Sequence, residues 1–156
     1  MEESRSRHMS VDTAAIETVN QEFYAAIESA DLDKMTEIWA EDTTDDQVSC
    51  VHPGWTLLTG RQEVLRSWAL IMANTTYIQF VLTDVNTTVL GDVAVLTCVE
   101  NILTAGEEGE ASFAAGKVVA SNVYLRTAQG WRLWMHHGSP VLQGDDDEEE
   151  EGELEP

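Results

Sequence analysis

Apolar residues near the start of the chain recur at steps of three and four, the spacing that places side chains on one face of a helix. The pattern predicts a first helix over residues 11–30, with Ser10 as a candidate N-cap. Asp31 interrupts it and is a suitable cap for a short second helix. The apolar face of the first helix consists of Ile16, Val19, Phe23, Ile27 and Ala30, and that of the second of Leu32, Met35, Ile38 and Trp39.

The middle of the chain combines a short strand with a third helix. Residues 48–51 are apolar and strand-like, and Pro53 and Gly54 should end the strand because proline has no backbone N–H for the ladder. Thr59 and Gln62 match the capping box that opens many helices. The helix predicted to follow has one apolar side, formed by Val64, Leu65, Trp68, Ile71 and Met72.

From residue 77 onward the helical spacing disappears and β-branched residues come in runs, which predicts four strands over residues 77–90, 93–104, 113–127 and 131–137. The connections between them are too short for parallel crossovers, so successive strands should form antiparallel hairpins. An antiparallel sheet of this length twists and curls. The order of elements therefore predicts an α+β domain, with three N-terminal helices packed on a curved antiparallel sheet around a hollow.

The charge is strongly negative and unevenly distributed. The formal net charge at pH 7 is −21, and residues 145–156 hold nine acidic residues and no basic one. We predict a disordered, solubilising acidic tail over residues 144–156, with docking to a basic partner as the alternative. The eight Lys and Arg residues are scattered and form no stripe for a polyanion, so we predict no nucleic-acid partner.

The two ends of the chain bear on its location. The first residues lack the apolar core of a secretion signal, and no run approaches the roughly 18 apolar residues of a membrane span. We therefore predict a cytoplasmic protein that does not bind membranes. Residues 1–9 are predicted to be a disordered leader, or a segment placed before a native start at Met9, and residues 10–143 to form the domain.

Cysteine and histidine give no sign of a metal site. Cys50 and Cys98 lie in apolar runs, where a thiol behaves as a small hydrophobe, so we predict two buried free thiols rather than a disulfide or a nucleophile. A zinc site needs three or four converging ligands, and the four histidines show no recognised spacing with the cysteines. Glycine-rich phosphate loops are also absent from the sequence. We therefore predict neither a metal nor a cofactor.

Two segments carry a more specific signal. The first is His52-Pro53-Gly54-Trp55 followed by Gly60-Arg61, and the second is Gly130-Trp131-Arg132-Leu133-Trp134-Met135-His136-His137-Gly138-Ser139-Pro140. Together they resemble the SnoaL-like branch of the nuclear transport factor 2-like superfamily, whose members show H-P-x-W, G-R-x-x-V and a last strand that ends in H-x-S. The resemblance covers about residues 11–142. It implies a cone-shaped fold with a pocket between helices and sheet, and a homodimer formed through the outer sheet face.

The resemblance does not fix the activity, because this fold carries many unrelated functions. Its best-known reaction is ketosteroid isomerisation, in which a carboxylate moves a proton while a tyrosine and a protonated acid stabilise the oxyanion. Counted along this chain, the tyrosine position is Phe23, His52 replaces the carboxylate before the proline, and the acid position falls near Val119. Ketosteroid isomerisation is therefore not predicted.

His52 is the predicted catalytic residue. It lies at the end of a strand where such pockets open, and the near-neutral pKa of histidine suits proton transfer. The alternative is a structural histidine that hydrogen-bonds the turn at Pro53 or the loop near Trp55. His136 and His137 are adjacent on a strand, so their side chains point to opposite faces and only one can reach the pocket.

Regular alternation along the last strand would put Trp134 on the face of His136, and Leu133 and Met135 on the face of His137. The sequence does not say which of these faces is inside.

Further ligand-binding candidates are polar residues within apolar strands and aromatic residues near the predicted pocket. Buried polar groups are costly unless they are partnered, although half-exposed positions and aromatic core packing would explain the same residues. Trp55 differs because it lies in a loop at the pocket mouth. The candidates are Tyr24, Trp39, Trp55, Trp68, Asn101, Asn122, Tyr124, His136 and His137.

Two functions follow as hypotheses. The first is a protein that binds a small, largely apolar ligand, with isomerase- or lyase-type chemistry that uses His52 as base. The second is a non-enzymatic homodimeric association domain, similar to that of calcium/calmodulin-dependent kinase II, whose last strand also ends in H-x-S. A hollow pocket lined by His52 would favour the first, and a closed, filled cone the second.

Overall fold

The computed structural model describes residues 2–106 and 109–142, and the side chains of residues 11–105 and 114–142. The predicted acidic tail lies outside the described residues. The described residues form three helices and six strands, in the order α1 (Glu2–Ser29), α2 (Leu32–Ile38), β1 (Ser49–Val51), β2 (Leu58–Thr59), α3 (Arg61–Asn74), β3 (Ile78–Leu90), β4 (Val93–Gly106), β5 (Gly109–Thr127) and β6 (Gly130–Pro140).

The strands form one sheet in the order β2-β1-β6-β5-β4-β3. The successive hairpins from β3 to β6 are antiparallel, as the short connections predicted. The expectation of a wholly antiparallel sheet is wrong, because β1 runs parallel to β6, with Ser49 opposite Met135 and Val51 opposite His137. The chain between these two strands includes α3 and three long strands, and a connection of that length allows parallel pairing.

Two predicted helix starts are wrong. The first helix begins at Glu2, so Ser10 lies inside it and does not cap it. The third helix begins after Gly60, whose φ is +97°, and it has no side-chain cap from the predicted box at Thr59. A more distant residue, Asp42, instead accepts a hydrogen bond from the backbone N–H of Arg61 at 2.9 Å.

The cap predicted for the second helix is confirmed. The side chain of Asp31 accepts a hydrogen bond from the backbone N–H of Lys34 at 3.0 Å. Within the described residues, no helix is both long and apolar enough to cross a membrane.

The helices pack against a curved, unclosed sheet, which confirms the predicted α+β class. Along β4, alternate side chains are buried beneath the helices: Ala94, Leu96, Cys98 and Glu100. Both cysteines are buried and free, as predicted. The fold therefore sends one polar side chain of β4, that of Glu100, into the space between the sheet and the helices.

An irregularity in the last strand decides which histidine faces inward. The pairing of β5 with β6 shifts register between Val123 and Tyr124, and Trp134 is the extra residue. After a bulge of this kind the alternation of side chains changes phase. Leu133 and His136 are consequently both buried, whereas His137 is exposed, so the faces expected from regular alternation are wrong.

Candidate ligand pocket

A cavity of about 190 Å³ lies between α1, α3 and the sheet. Most of its lining is apolar, and three side chains in it can exchange protons: His52, Glu100 and His136. Each of these three is at most 3% exposed to solvent. The apolar lining includes Ile27, Trp55, Trp68, Ile71, Phe80 and Ile102.

The ring of His52 lies between two tryptophan rings. Its centroid is 4.8 Å from that of Trp55 and 4.5 Å from that of Trp68. Nε2 of His52 is 2.8 Å from Oγ of Ser67, and the Ser67 hydroxyl donates to the carbonyl oxygen of Val64 at 2.6 Å. Since a serine hydroxyl has one proton, Ser67 can only accept from His52. Nε2 of His52 therefore carries the ring proton, and Nδ1 carries the lone pair.

The surroundings of His52 keep it uncharged. Burial lowers the pKa of His52 to about 4, so the ring is neutral at pH 7. Sγ of Cys50 lies 4.0 Å from Nδ1, and burial raises the pKa of that thiol to about 12. A neutral imidazole with its lone pair on Nδ1 can accept a proton from a ligand.

Glu100 is held by a tyrosine from the first helix. The hydroxyl of Tyr24 donates to Oε2 of Glu100 at 2.5 Å. Burial raises the pKa of Glu100 to about 7, although the hydrogen bond from Tyr24 acts in the opposite direction. Among the described residues, none hydrogen-bonds to Oε1 of Glu100. Glu100 can therefore give or take a proton near neutral pH through this second oxygen.

The pairing of Tyr24 with Glu100 corrects one expectation from the sequence. The count along the chain put Phe23 at the tyrosine position and Val119 at the acid position of the ketosteroid isomerase pattern, so neither a tyrosine nor an acid was expected. Tyr24 and Glu100 supply both types from neighbouring positions, and Val119 is 46% exposed on the outer sheet face.

His136 is connected to a buried chain of amides and hydroxyls. Its Nδ1 lies 2.5 Å from Oδ1 of Asn122. The amide nitrogen of Asn122 donates to Oδ1 of Asn20 at 2.9 Å and to Oη of Tyr24 at 3.3 Å. The hydroxyl of Tyr124 also donates to Oδ1 of Asn20, at 2.7 Å. Burial, reinforced by the neighbouring histidines, lowers the pKa of His136 to about 3.

The structure divides the predicted site residues into three groups. His52, Trp55, Trp68 and His136 line the cavity, and Tyr24, Asn122 and Tyr124 form the hydrogen-bonded network behind it. Asn101, His137 and Trp39 lie elsewhere.

The three residues outside the pocket have other surroundings. Asn101 is turned away from the core and donates to the carbonyl oxygen of Val81 and to Oγ1 of Thr83, at 2.9 and 3.0 Å. His137 is exposed because of the phase change in β6. Trp39 is buried in the core and lines a different cavity.

That second cavity, of about 490 Å³, lies between the end of α2 and the turn joining β5 to β6. Both cations of its lining already have partners: Arg132 donates to the carbonyl oxygen of Trp131 at 3.0 Å, and the guanidinium of Arg61 donates to the carbonyl oxygens of Thr36 and Ala40. The bonds of Arg61 satisfy carbonyl groups at the end of α2. We therefore assign the candidate site to the smaller cavity, where His52, Glu100 and His136 converge and each keeps one further polar atom for a ligand.

Three polar residues of the site were not predicted: Asn20, Ser67 and Glu100. Glu100 has the same strand parity as Leu96 and Cys98, which would have placed it on the inward face. Asn20 and Ser67 lie on the apolar faces of α1 and α3, where a polar residue signals a buried hydrogen bond. Among the described residues, no group of three or more His, Cys, Asp or Glu side chains is placed to hold a metal ion.

Comparison with known proteins agrees with this architecture. The family model of the SnoaL-like domain matches residues 16–143. The chain belongs to the SnoaL-like domain family. The predicted resemblance to the nuclear transport factor 2-like superfamily is thereby confirmed.

Two solved structures are similar to this chain over most of their length. A proposed dehydratase of the NTF2-like family from Streptomyces avermitilis is 46% identical, with a TM-score of 0.79 over 86% of this chain and 99% of that one. A proposed calcium/calmodulin-dependent protein kinase type II association domain from Thiobacillus denitrificans is 32% identical, with a TM-score of 0.69 over 81% of this chain and 94% of that one.

A curated protein is also similar to this chain. The F-box protein SKIP8 of Arabidopsis thaliana is 29% identical over 133 residues, which amount to 85% of this chain and 52% of that protein. The chain thus spans about half the length of this curated relative.

Proposed function

We propose that this SnoaL-like domain binds a small, largely apolar molecule in the cavity between α1, α3 and the sheet. We further propose that it is an isomerase- or lyase-type enzyme with His52 as its base. The observation that supports this proposal is the convergence of His52, Glu100 and His136 on one otherwise apolar cavity. A cavity of about 190 Å³ is smaller than the roughly 300 Å³ at which sites for drug-sized ligands begin, so the ligand is small.

The chemistry follows from the protonation states. His52 is neutral and its Nδ1 can take a proton from a carbon or an oxygen of the ligand. Glu100 can give a proton from Oε1 near neutral pH, while Tyr24 holds its other oxygen. In an elimination, His52 takes the proton from the carbon beside a carbonyl and the electrons of that C–H bond form the double bond. The hydroxyl group on the next carbon takes the proton of Glu100 and leaves as water.

The similarity to a proposed dehydratase is consistent with such a reaction but does not identify the substrate. Native mass spectrometry of the purified protein tests the binding step, because a retained ligand adds mass that is lost on denaturation. Turnover of that ligand is then compared between wild type and His52→Gln, in which an amide N–H can still reach Ser67. We expect turnover to fall by about 10²-fold or more, the typical contribution of a general base.

His137→Gln is the matched control, since His137 is the exposed neighbour of the pocket histidine and should be replaceable without loss of turnover. Equal turnover in wild type and His52→Gln would reject His52 as the base. Absence of a retained ligand, together with no binding of small aromatic probes such as phenol and toluene, would reject the pocket itself.

A second function, a non-enzymatic homodimeric association domain, has separate support. A proposed association domain is 32% identical to this chain, and the sheet carries exposed apolar side chains on its outer face. Val81, Leu103 and Val119 are 63%, 37% and 46% exposed. Apolar side chains clustered on one surface are typical of protein interfaces.

Sedimentation velocity at micromolar concentration tests the dimer. We expect a dimer for wild type and a monomer for Val119→Glu, because a buried unpaired carboxylate at the interface is costly. Ala73→Glu, on the exposed surface of α3, should remain a dimer. A monomeric wild type would reject the association. A dimer that retains no ligand and turns over none would favour the association function over the enzyme.

A further inference from the structure

The hydrogen bonds behind the cavity run in one direction, from the donor His136 through Asn122 and Tyr24 to the acceptor Glu100. The only proton of the Tyr24 hydroxyl is donated to Glu100, so the oxygen of Tyr24 can only accept from the side chain of Asn122. Oδ1 of Asn20 already accepts from the hydroxyl of Tyr124, so it too faces a donor on Asn122. Both contacts place the amide nitrogen of Asn122 on this side and its oxygen on the other, towards His136.

The amide oxygen of Asn122 fixes the proton of His136. An amide oxygen has no proton to give, so the close contact of 2.5 Å requires that Nδ1 of His136 carries the proton and donates it. In the neutral ring, Nε2 then carries a lone pair and can only accept. His136 lines the cavity, and no group among the described side chains donates to its Nε2.

His52, on the neighbouring strand end, is fixed in the opposite way. Ser67 accepts from Nε2 of His52, so that ring is protonated at Nε2. The two pocket histidines are therefore held as different tautomers by separate sets of partners. A ligand meets an obligatory acceptor at His136, and a buried acceptor left without a donor is unfavourable.

We infer that the bound molecule carries a hydroxyl group that donates to Nε2 of His136, so that this histidine selects hydroxylated compounds over plain hydrocarbons of the same shape. An alkylamine would bring a positive charge into an apolar cavity, whereas a hydroxyl brings none. A hydroxyl can also accept a hydrogen bond from protonated Glu100, which lines the same cavity. The inference rests on the proposed binding of a small ligand in this pocket and names its chemical class.

The tautomers are measured on the wild-type protein without any ligand. In long-range ¹⁵N–¹H correlation spectra at pH 7, we expect His136 as the Nδ1–H form and His52 as the Nε2–H form. An Nε2–H form of His136, or a charged ring, would overturn the inference while leaving the proposed function intact.

Ligand selection is measured with phenol and toluene, which have nearly the same shape and differ in the hydroxyl. Their dissociation constants are compared by tryptophan fluorescence or by NMR titration, in wild type and in His136→Phe. We expect the ratio of the toluene constant to the phenol constant to fall by roughly tenfold or more in the variant, because selection by one hydroxyl depends on its buried partner. His137→Phe is the control and should keep the wild-type ratio.

The outcomes separate the two proposals. Binding of toluene with an unchanged ratio in His136→Phe would overturn the inference and support the apolar pocket. Failure of both probes to bind wild type, together with the absence of a retained ligand, would overturn the proposed function and this inference with it, and a retained ligand without a hydroxyl group would overturn the inference alone. A shift of the His136 Nε2 resonance on addition of phenol, absent on addition of toluene, would support both.

Discussion

Replacing Glu100 by glutamine is expected to make the domain more sensitive to acid. Burial lowers the pKa of His52 from 6.5 to about 4 and that of His136 from 6.5 to about 3. As the pH falls below 6.5, the unfolded chain therefore binds protons that the folded chain does not. Between pH 7 and pH 5, each histidine reduces the free energy of unfolding by about 2 kcal/mol.

Glu100 acts in the opposite direction over the same range. Its pKa is raised from 4.5 to about 7, so the folded chain takes up this proton before the unfolded chain does. The stabilisation is complete below pH 4.5 and is lost as the pH rises through 7. Between pH 7 and pH 5, Glu100 therefore raises the free energy of unfolding by about 2 kcal/mol. In wild type, the two histidines and Glu100 together lower the free energy of unfolding by about 2 kcal/mol over this range. In Glu100→Gln only the two histidines act, and the loss is about 4 kcal/mol.

Urea unfolding at pH 7 and pH 5, followed by tryptophan fluorescence, gives the two free energies of unfolding for each protein. Glutamine keeps the shape of Glu100 and can still accept from Tyr24. Glu41→Gln is the control, because the side chain of Glu41 is 83% exposed and should leave the pH dependence as in wild type. An equal loss in wild type and Glu100→Gln would refute the protonation states that we assign to the pocket.

Two further predictions concern residues that support the pocket. Tyr124→Phe removes the buried hydroxyl that donates to Oδ1 of Asn20. The free energy of unfolding, measured in urea, should fall by about 1 kcal/mol. No loss would exclude a stabilising role for this hydrogen bond. Gly138→Ala places a Cβ 3.1 Å from Cγ of Pro53, so we expect a loss of about 1–3 kcal/mol and weaker binding of phenol; unchanged values for both would show that the strand and the turn at Pro53 are loosely packed.

The parts of the fold that depend on local signals were predictable. Helical spacing and short glycine-containing connections act within a few residues, so they indicated three helices and the hairpins of β3 to β6. The parallel pairing of β1 with β6 was not predictable in this way, because it joins segments far apart in the chain. The cap of α3 was missed for the same reason, since Asp42 reaches the helix from the preceding loop.

The site residues likewise divide into those marked by a local sequence signal and those that depend on the tertiary structure. His52 and Trp55 were found because the turn at Pro53 marks the end of a strand at the pocket mouth. The inward position of His136 depends on the bulge at Trp134, and no residue pattern announced that irregularity. Glu100 was not among the predicted site residues, although strand parity with Cys98 would have placed it inside.

The parallel pairing also governs when a binding site can exist. His52 follows the strand that pairs with β6, and Cys50 stands opposite His136 in that pairing. The two histidines therefore come together only after the last strand has docked, which during synthesis happens once nearly the whole domain has left the ribosome. Any molecule that occupies the cavity contacts both the segment after β1 and strand β6. Because it binds only the complete fold, it stabilises the domain against unfolding by mass action.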